Sequence, residues 1–244
     1  MSFSDYTSSS RELTGPLMLE EGRPQVDRHF TSKSEKRRSA YVRFGGKRIL
    51  DVCVAVGALV FLAPVLVLIS IFVAVQGGLP VLFRHERIGQ GRAPFMCLKF
   101  RSMVKDADAQ LQQLLETCPE SRREWDQTHK LLKDPRVHWI GRILRKSSLD
   151  ELPQLINILR GEMSLVGPRP IVEAEIARYG DAFESYQSVK PGLTGLWQVS
   201  GRSDTGYRER VSLDTYYTKN VTLRGDLEIL VKTVWVVFIG RGSC

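Results

Sequence analysis

Apolar positions divide the chain into a polar start, one long apolar run and a mixed remainder. Residues 1–46 carry many Ser, Arg and Glu with no sustained apolar period. They predict a flexible, basic cytosolic tail without a secretory signal. From Ile49 to Val75 almost every position is apolar, with Asp51 the one charge and Pro64 near the middle. As a straight helix this run would measure about 40 Å, enough to cross a hydrocarbon core of about 30 Å. Arg43, Lys47 and Arg48 precede it, and Arg84, Arg87 and Arg92 follow. Positive residues mark the cytosolic side, so basic flanks at both ends predict a segment that enters and leaves by one face. Pro64 supplies the bend, because it removes a helix hydrogen bond and clashes with the preceding turn. The expectation over 47–78 is a re-entrant helix hairpin.

Beyond it the pattern alternates. Val81 to Phe83 reads as a strand, and Ile88 to Phe95 as a turn leading into Met96 to Met103, where Gly89 and Gly91 suit a tight turn or, more weakly, a phosphate loop. Ala109, Leu111, Leu114 and Leu115 predict amphipathic helices over Asp106–Lys133, broken around Cys118-Pro119. Such helices can lie on a membrane or pack on a core. Ile140, Ile143 and Leu144 share one helix face, with Arg142 and Arg145 on the other. The apolar stretch from Asp226 to Gly242, interrupted by Lys232, is too short to span comfortably and predicts a helix packed on the membrane or the hairpin. The fold class is α+β, mainly helical: a tail (1–46), a re-entrant membrane helix (47–78) and a small cytosolic domain (79–244) with amphipathic surface helices.

The net charge of +8 fits nucleic acid, an acidic membrane surface or a phosphate-rich substrate, and does not choose among them. Cys53, Cys97, Cys118 and Cys244 lack C-x-x-C spacing, and no histidine stands at metal-ligand spacing, so neither a disulfide framework nor a thiol or histidine metal site is expected.

The chemistry concentrates in Leu144–Pro170, LRKSSLDELPQLINILRGEMSLVGPRP. Pro153 suits the first turn of a helix that Gly161 stops, which puts Asp150 and Glu151 at or just ahead of its N-terminus. Ser148 and Glu151 also have capping-box spacing, an ordinary stability device. Pro153 would sit too deep in a helix capped at Ser148, however. The turn Gly167–Pro170 then fixes Arg169. Carboxylates, a divalent cation and fixed guanidinium groups are what phosphoryl transfer needs. Downstream, VKPGLTGLWQVSGR (Val189–Arg202) offers Lys190, Trp197 and Arg202 for a nucleotide or sugar pocket, although a core tryptophan explains Trp197 equally well.

The segment SLDELPQLINILRGEMSLVGPRP resembles the core signature of the bacterial monotopic phosphoglycosyl transferases, and the likeness extends from Lys47 to the C-terminus. The chain is most similar to the short rhizobial initiators of succinoglycan-type exopolysaccharide. The resemblance implies transfer of a sugar 1-phosphate, galactose before glucose, from a UDP-sugar to undecaprenyl phosphate, releasing UMP as an exopolysaccharide repeat unit is begun. It implies Asp150 as nucleophile of a covalent intermediate, Glu151 as Mg²⁺ ligand, and Lys99 in the KFRSM segment as a basic residue of the site. Arg145, Arg169 and Lys99 become phosphate clamps. Lys47 and Arg48 match the basic pair opening the membrane element, whose Ser-Pro bend is here Ala63-Pro64. The implied place is the cytosolic face of the bacterial inner membrane, with membrane lipid as a partner. A membrane-anchored, non-enzymatic scaffold of a polysaccharide assembly complex is the alternative. Nucleic acid is not an expected partner, because no binding motif is present. Homo-oligomerisation stays open.

Overall fold

The computed structural model describes residues 41–42, 45–128, 131, 134–201 and 206–239. Almost all of the N-terminal tail, together with Arg202 and Cys244, therefore lies outside the described residues. The described chain is mostly helical with four short strands. Helix α1 (Gly46–Gly77) leads into an antiparallel hairpin, β1 (Leu82–Ile88) and β2 (Pro94–Phe100). Gly91 at φ +66° makes the tight turn between the strands. Helices α2 (Ala107–Thr117) and α3 (Pro119–Thr128) break at Cys118-Pro119, where proline ends the preceding helix. After α4 (Trp139–Ser147) comes a 3₁₀ turn (Leu149–Glu151), then α5 (Gln154–Arg160). Strand β3 (Ser164–Val166) pairs in parallel with β4 (Gly192–Thr194), and α6 (Ile176–Tyr179) and α7 (Phe183–Gln187) lie between them in sequence. Helices α8 (Leu196–Val199), α9 (Tyr207–Lys219) and α10 (Leu223–Ile239) follow.

Helix α1 is continuous through Pro64, and its two halves pack on the same globular body. In the first half, Ala55 joins a core of Leu155, Ile158, Met163, Leu165 and Ile229. In the second, Ile69 and Val73 join Phe100, Ile140 and Leu144. Between and around these contacts the helix turns bare apolar side chains outward, with Val60 72% and Phe61 83% exposed. Apolar surface of that extent outside the core marks a membrane or protein contact. Its length and composition suffice to cross a bilayer.

Polar residues of α1 hold it to the body. Asp51 is buried and accepts hydrogen bonds from Ser164 Oγ (3.0 Å) and Leu165 N (2.9 Å). Arg48 donates to the carbonyls of Ile158 and Leu159 at the end of α5, adding to the bond that Ile158 O accepts from Gly161 N. Lys47 is more than a membrane flank. Its ammonium donates to Asp226 Oδ2 (2.6 Å), Val166 O (3.0 Å) and Tyr217 Oη (3.1 Å). Tyr41 and Tyr217 supply the remaining donors to Asp226, which is 0% exposed.

The amphipathic reading of α4 is half realised. Ile140 and Leu144 are buried against α1, whereas Ile143 and Trp139 point outward. Helix α10 buries Ile229 in the core and exposes Leu227, Val231, Val234 and Trp235.

Candidate active site

Asp150 and Glu151 occupy the 3₁₀ turn directly ahead of α5. Ser148 is the left-handed residue ending α4, at φ 57°, and its side chain caps nothing, so the capping-box alternative is not what the turn adopts. Pro153 instead opens α5, and Gly161 at φ +81° closes it.

The dyad faces the β1–β2 hairpin because Asn157, on the next turn of α5, is tied to β2. Its Oδ1 accepts from Leu98 N (3.0 Å), and its Nδ2 donates to Met96 O (2.8 Å) and Glu162 Oε2 (2.6 Å). This registers Lys99 over Glu151. The Lys99 ammonium donates to Glu151 Oε1 at 2.7 Å, and Arg169 Nη2 donates to the same oxygen at 3.3 Å. Glu151 Oε2 accepts nothing among the described residues. Burial alone would raise the Glu151 carboxyl, but Arg169 and Lys99 outweigh it and hold the group at about 2. The same pairing raises Arg169 above its ordinary value, against burial.

Asp150 is a different carboxylate. It is 9% exposed and accepts no hydrogen bond from the described residues. Burial first, and then the charge of Glu151, push its carboxyl up, while Lys99, Arg145 and Arg169 pull it back. The pair thus holds one firmly ionised, occupied carboxylate and one more basic, unengaged carboxylate.

Arg145 is placed by its own contact, Nε donating to Ser102 Oγ at 2.8 Å. The close approach needs Gly141, because a Cβ there would overlap the Ser102 backbone.

Lys99, Glu151 and Arg169 share a cleft with Arg87, Cys97, Gln154, Pro170, Gly192 and Leu193. Asp150 stands beside this lining, within electrostatic reach of Lys99 and Arg169 in the cleft and of Arg145 outside it. Gly167 and Gly192 bring the Gly167–Pro170 turn against β4, since a Cβ on Gly192 would meet the Gly167 backbone.

The residues proposed for a nucleotide or sugar pocket divide. The ammonium of Lys190 lies near the Arg48 guanidinium at the end of α5, and burial and Arg48 lower its pKa. Trp197 is covered by the Arg210 guanidinium, 5.0 Å from its ring centre. Arg210 pairs with Glu175 at 3.2 Å, and Glu175 lies 3.8 Å from Arg87, so Trp197 connects to the cleft through charged neighbours. Arg202 falls outside the described residues.

Arg87, Asn157 and Ser102 were not singled out for the site from the sequence. In the sequence Arg87 stands out only as a basic flank of the apolar run, and the other two act through contacts between distant positions. The period-2 pattern that puts Arg87 and Lys99 on opposed strands was the one available signal.

The family described as bacterial sugar transferase matches residues 42–240. The UDP-galactose-lipid carrier transferase of Erwinia amylovora is 50% identical over 197 residues, 81% of this chain and 41% of that protein. The exopolysaccharide production protein ExoY of Sinorhizobium fredii is 49% identical over 197 residues, 81% of this chain and 87% of that one. The undecaprenyl-phosphate galactose phosphotransferase of Salmonella typhimurium is 46% identical over 208 residues, 85% of this chain and 43% of the relative. The chain thus spans less than half the length of the Erwinia and Salmonella proteins, and most of ExoY. With a match over most of its length, the chain belongs to the bacterial sugar transferases, the phosphoglycosyl transferase enzymes that Leu144–Pro170 resembles.

Proposed function

We infer that this protein transfers a sugar 1-phosphate from a UDP-sugar to undecaprenyl phosphate, releasing UMP, and so begins an exopolysaccharide repeat unit. The names of the Erwinia and Salmonella relatives make galactose the first sugar to test, and glucose, its C4 epimer, the second. The observation that carries the reading is the unengaged, buried Asp150 carboxylate beside the cationic Lys99–Glu151–Arg169 cluster.

Asp150 attacks the phosphorus that bears the sugar. A bond forms from its oxygen to phosphorus, the bond to the bridging oxygen breaks, and the electron pair leaves on the phosphate of UMP. An oxygen of undecaprenyl phosphate then displaces Asp150. Each step exchanges one P–O bond for another and requires no proton transfer from the protein, so one difficult exchange becomes two easier ones. Lys99, Arg169 and Arg145 neutralise and orient the phosphates.

Mg²⁺ fits this donor set. Among the described residues no cluster of three or more His, Cys, Asp or Glu could cage a metal, but Mg²⁺ is commonly held by one or two carboxylates together with substrate phosphate. Glu151, ionised and with no donor to Oε2 among the described residues, is the residue to hold it, with Asp150 adjacent. When bound it would neutralise diphosphate charge.

The proposed setting is monotopic, on the cytosolic face of the inner membrane, with α1 re-entrant. One globular body packed on both halves of α1 supports this, because that body cannot lie on two sides of a bilayer. The basic residues at both ends of α1 support it too. The boundaries 47–78 and 79–244 are proposed as the membrane and catalytic parts, the former sharing its core with the latter.

The test is UMP release by detergent-solubilised protein given Mg²⁺, undecaprenyl phosphate and UDP-galactose or UDP-glucose, with Asp150→Asn alongside. Release from one donor, lost in the variant, is the expected result. No release from either donor by folded protein would remove the reading for these substrates.

A further inference from the structure

The cleft contains one cation that the dyad does not use. Lys99 and Arg169 both converge on Glu151 Oε1. Arg87, on β1, lines the same cleft but reaches neither carboxylate of the dyad by a hydrogen bond. Its nearest acid, Glu175, is 3.8 Å away and is engaged elsewhere: Oε1 accepts from Arg210 (3.2 Å) and Tyr207 (3.2 Å), and Oε2 from Val172 N (3.1 Å). The hydrogen bonds Arg87 does make go to neutral atoms, His85 Nδ1 at 3.1 Å and Pro170 O at 3.4 Å. A guanidinium held in a cleft beside a second one, with no carboxylate among the described residues hydrogen-bonded to it, is a place for an anion.

We propose that Arg87 binds the phosphate of the departing nucleotide, so that the cleft has two phosphate positions: one at the dyad with Lys99 and Arg169, and one at Arg87. This rests on the proposed function, where the donor carries two phosphates and the bond between them breaks. As it breaks, negative charge accumulates on the nucleotide phosphate, and a guanidinium fork supplies donors where that charge develops. Arg87 is anchored for this role. Its strand is paired across the hairpin with β2, and the next residue, Ile88, is bridged to Ile171 beyond the Gly167–Pro170 turn.

The test uses the full chain in detergent with Mg²⁺, UMP as probe by titration calorimetry, and steady-state kinetics with the active UDP-sugar. Arg87→Ala is expected to weaken UMP binding and raise the donor KM by roughly 10- to 100-fold, the loss of one charge-assisted contact, with the KM for undecaprenyl phosphate unchanged. Arg87→Lys, which keeps charge but loses the fork, should fall between. Unchanged UMP affinity in Arg87→Ala, or equal KM increases for both substrates, would overturn the assignment and leave Arg87 as a support for Pro170. A wild-type protein that neither binds UMP nor releases it would instead remove the underlying function, an outcome distinct from either.

Discussion

Two acidic centres in this molecule sit beside a lysine and away from water, and they are finished differently. At Asp226 both oxygens accept, from three donors in all, and the Lys47 ammonium has three acceptors. At the dyad, Glu151 Oε2 and the whole Asp150 carboxylate are left without donors among the described residues. A buried charge with all its partners fixes structure, whereas one missing partners retains capacity for a ligand. By this contrast Asp226 is the clasp between α1 and α10, and Asp150–Glu151 is the pair left open for the proposed chemistry.

The largest effect should separate the two by activity. Asp150→Asn is expected to reduce UMP release to background with no loss of thermal stability, since it removes a buried charge that costs the fold; retained turnover would break the contrast at once. Lys99→Ala should follow, with kcat/KM down roughly 100-fold because a charge-assisted partner of Glu151 and of substrate phosphate is lost. Asp226→Ala should do the reverse, leaving the part-buried Lys47 without its carboxylate partner at a cost of about 3 kcal/mol, read by chemical denaturation in detergent. Replacing Lys47 and Asp226 together by Met and Leu should recover much of that loss. No comparable apolar pair should restore activity at the dyad.

A pH profile gives a smaller and sharper distinction. As the proposed nucleophile Asp150 must be ionised, and burial raises its carboxyl above the ordinary value, so UMP release should decline as pH falls through that raised value. Arg145 pulls it back, so Arg145→Gln should move the acid limb to higher pH. Glu151, held at about 2, stays ionised throughout and adds no limb of its own.

The sequence was most legible where chemistry is contiguous. Leu144–Pro170 places both carboxylates, Pro153, Gly161 and Arg169 within one short stretch, and the local rules for proline and glycine predicted the turn and helix that the structure adopts. Lys99 came from resemblance alone, since a basic residue on a strand says nothing of what it faces. What stayed hidden depends on distant contacts. Lys47 read as a membrane flank because its partner Asp226 is 179 residues away, and Asn157 read as a helix residue because Leu98 lies 59 residues before it. Ile143 misled for a related reason: helical spacing shows which residues share a face but not how wide the buried stripe is.

The membrane topology can be sharpened by accessibility labelling of single cysteines at positions 39 and 78, where labels on one face are expected and labels on opposite faces would defeat a re-entrant α1.

Helix α1 also bears on how such an enzyme is handled. A membrane segment that only tethers can be cut away to give a soluble enzyme. Here truncation would take Ala55 from one core and Ile69 and Val73 from another, and would strip Ser164 and Leu165 of their acceptor Asp51. Helix α1 and the globular body share their cores, so removing α1 is expected to unfold the body and not to release it as a soluble enzyme.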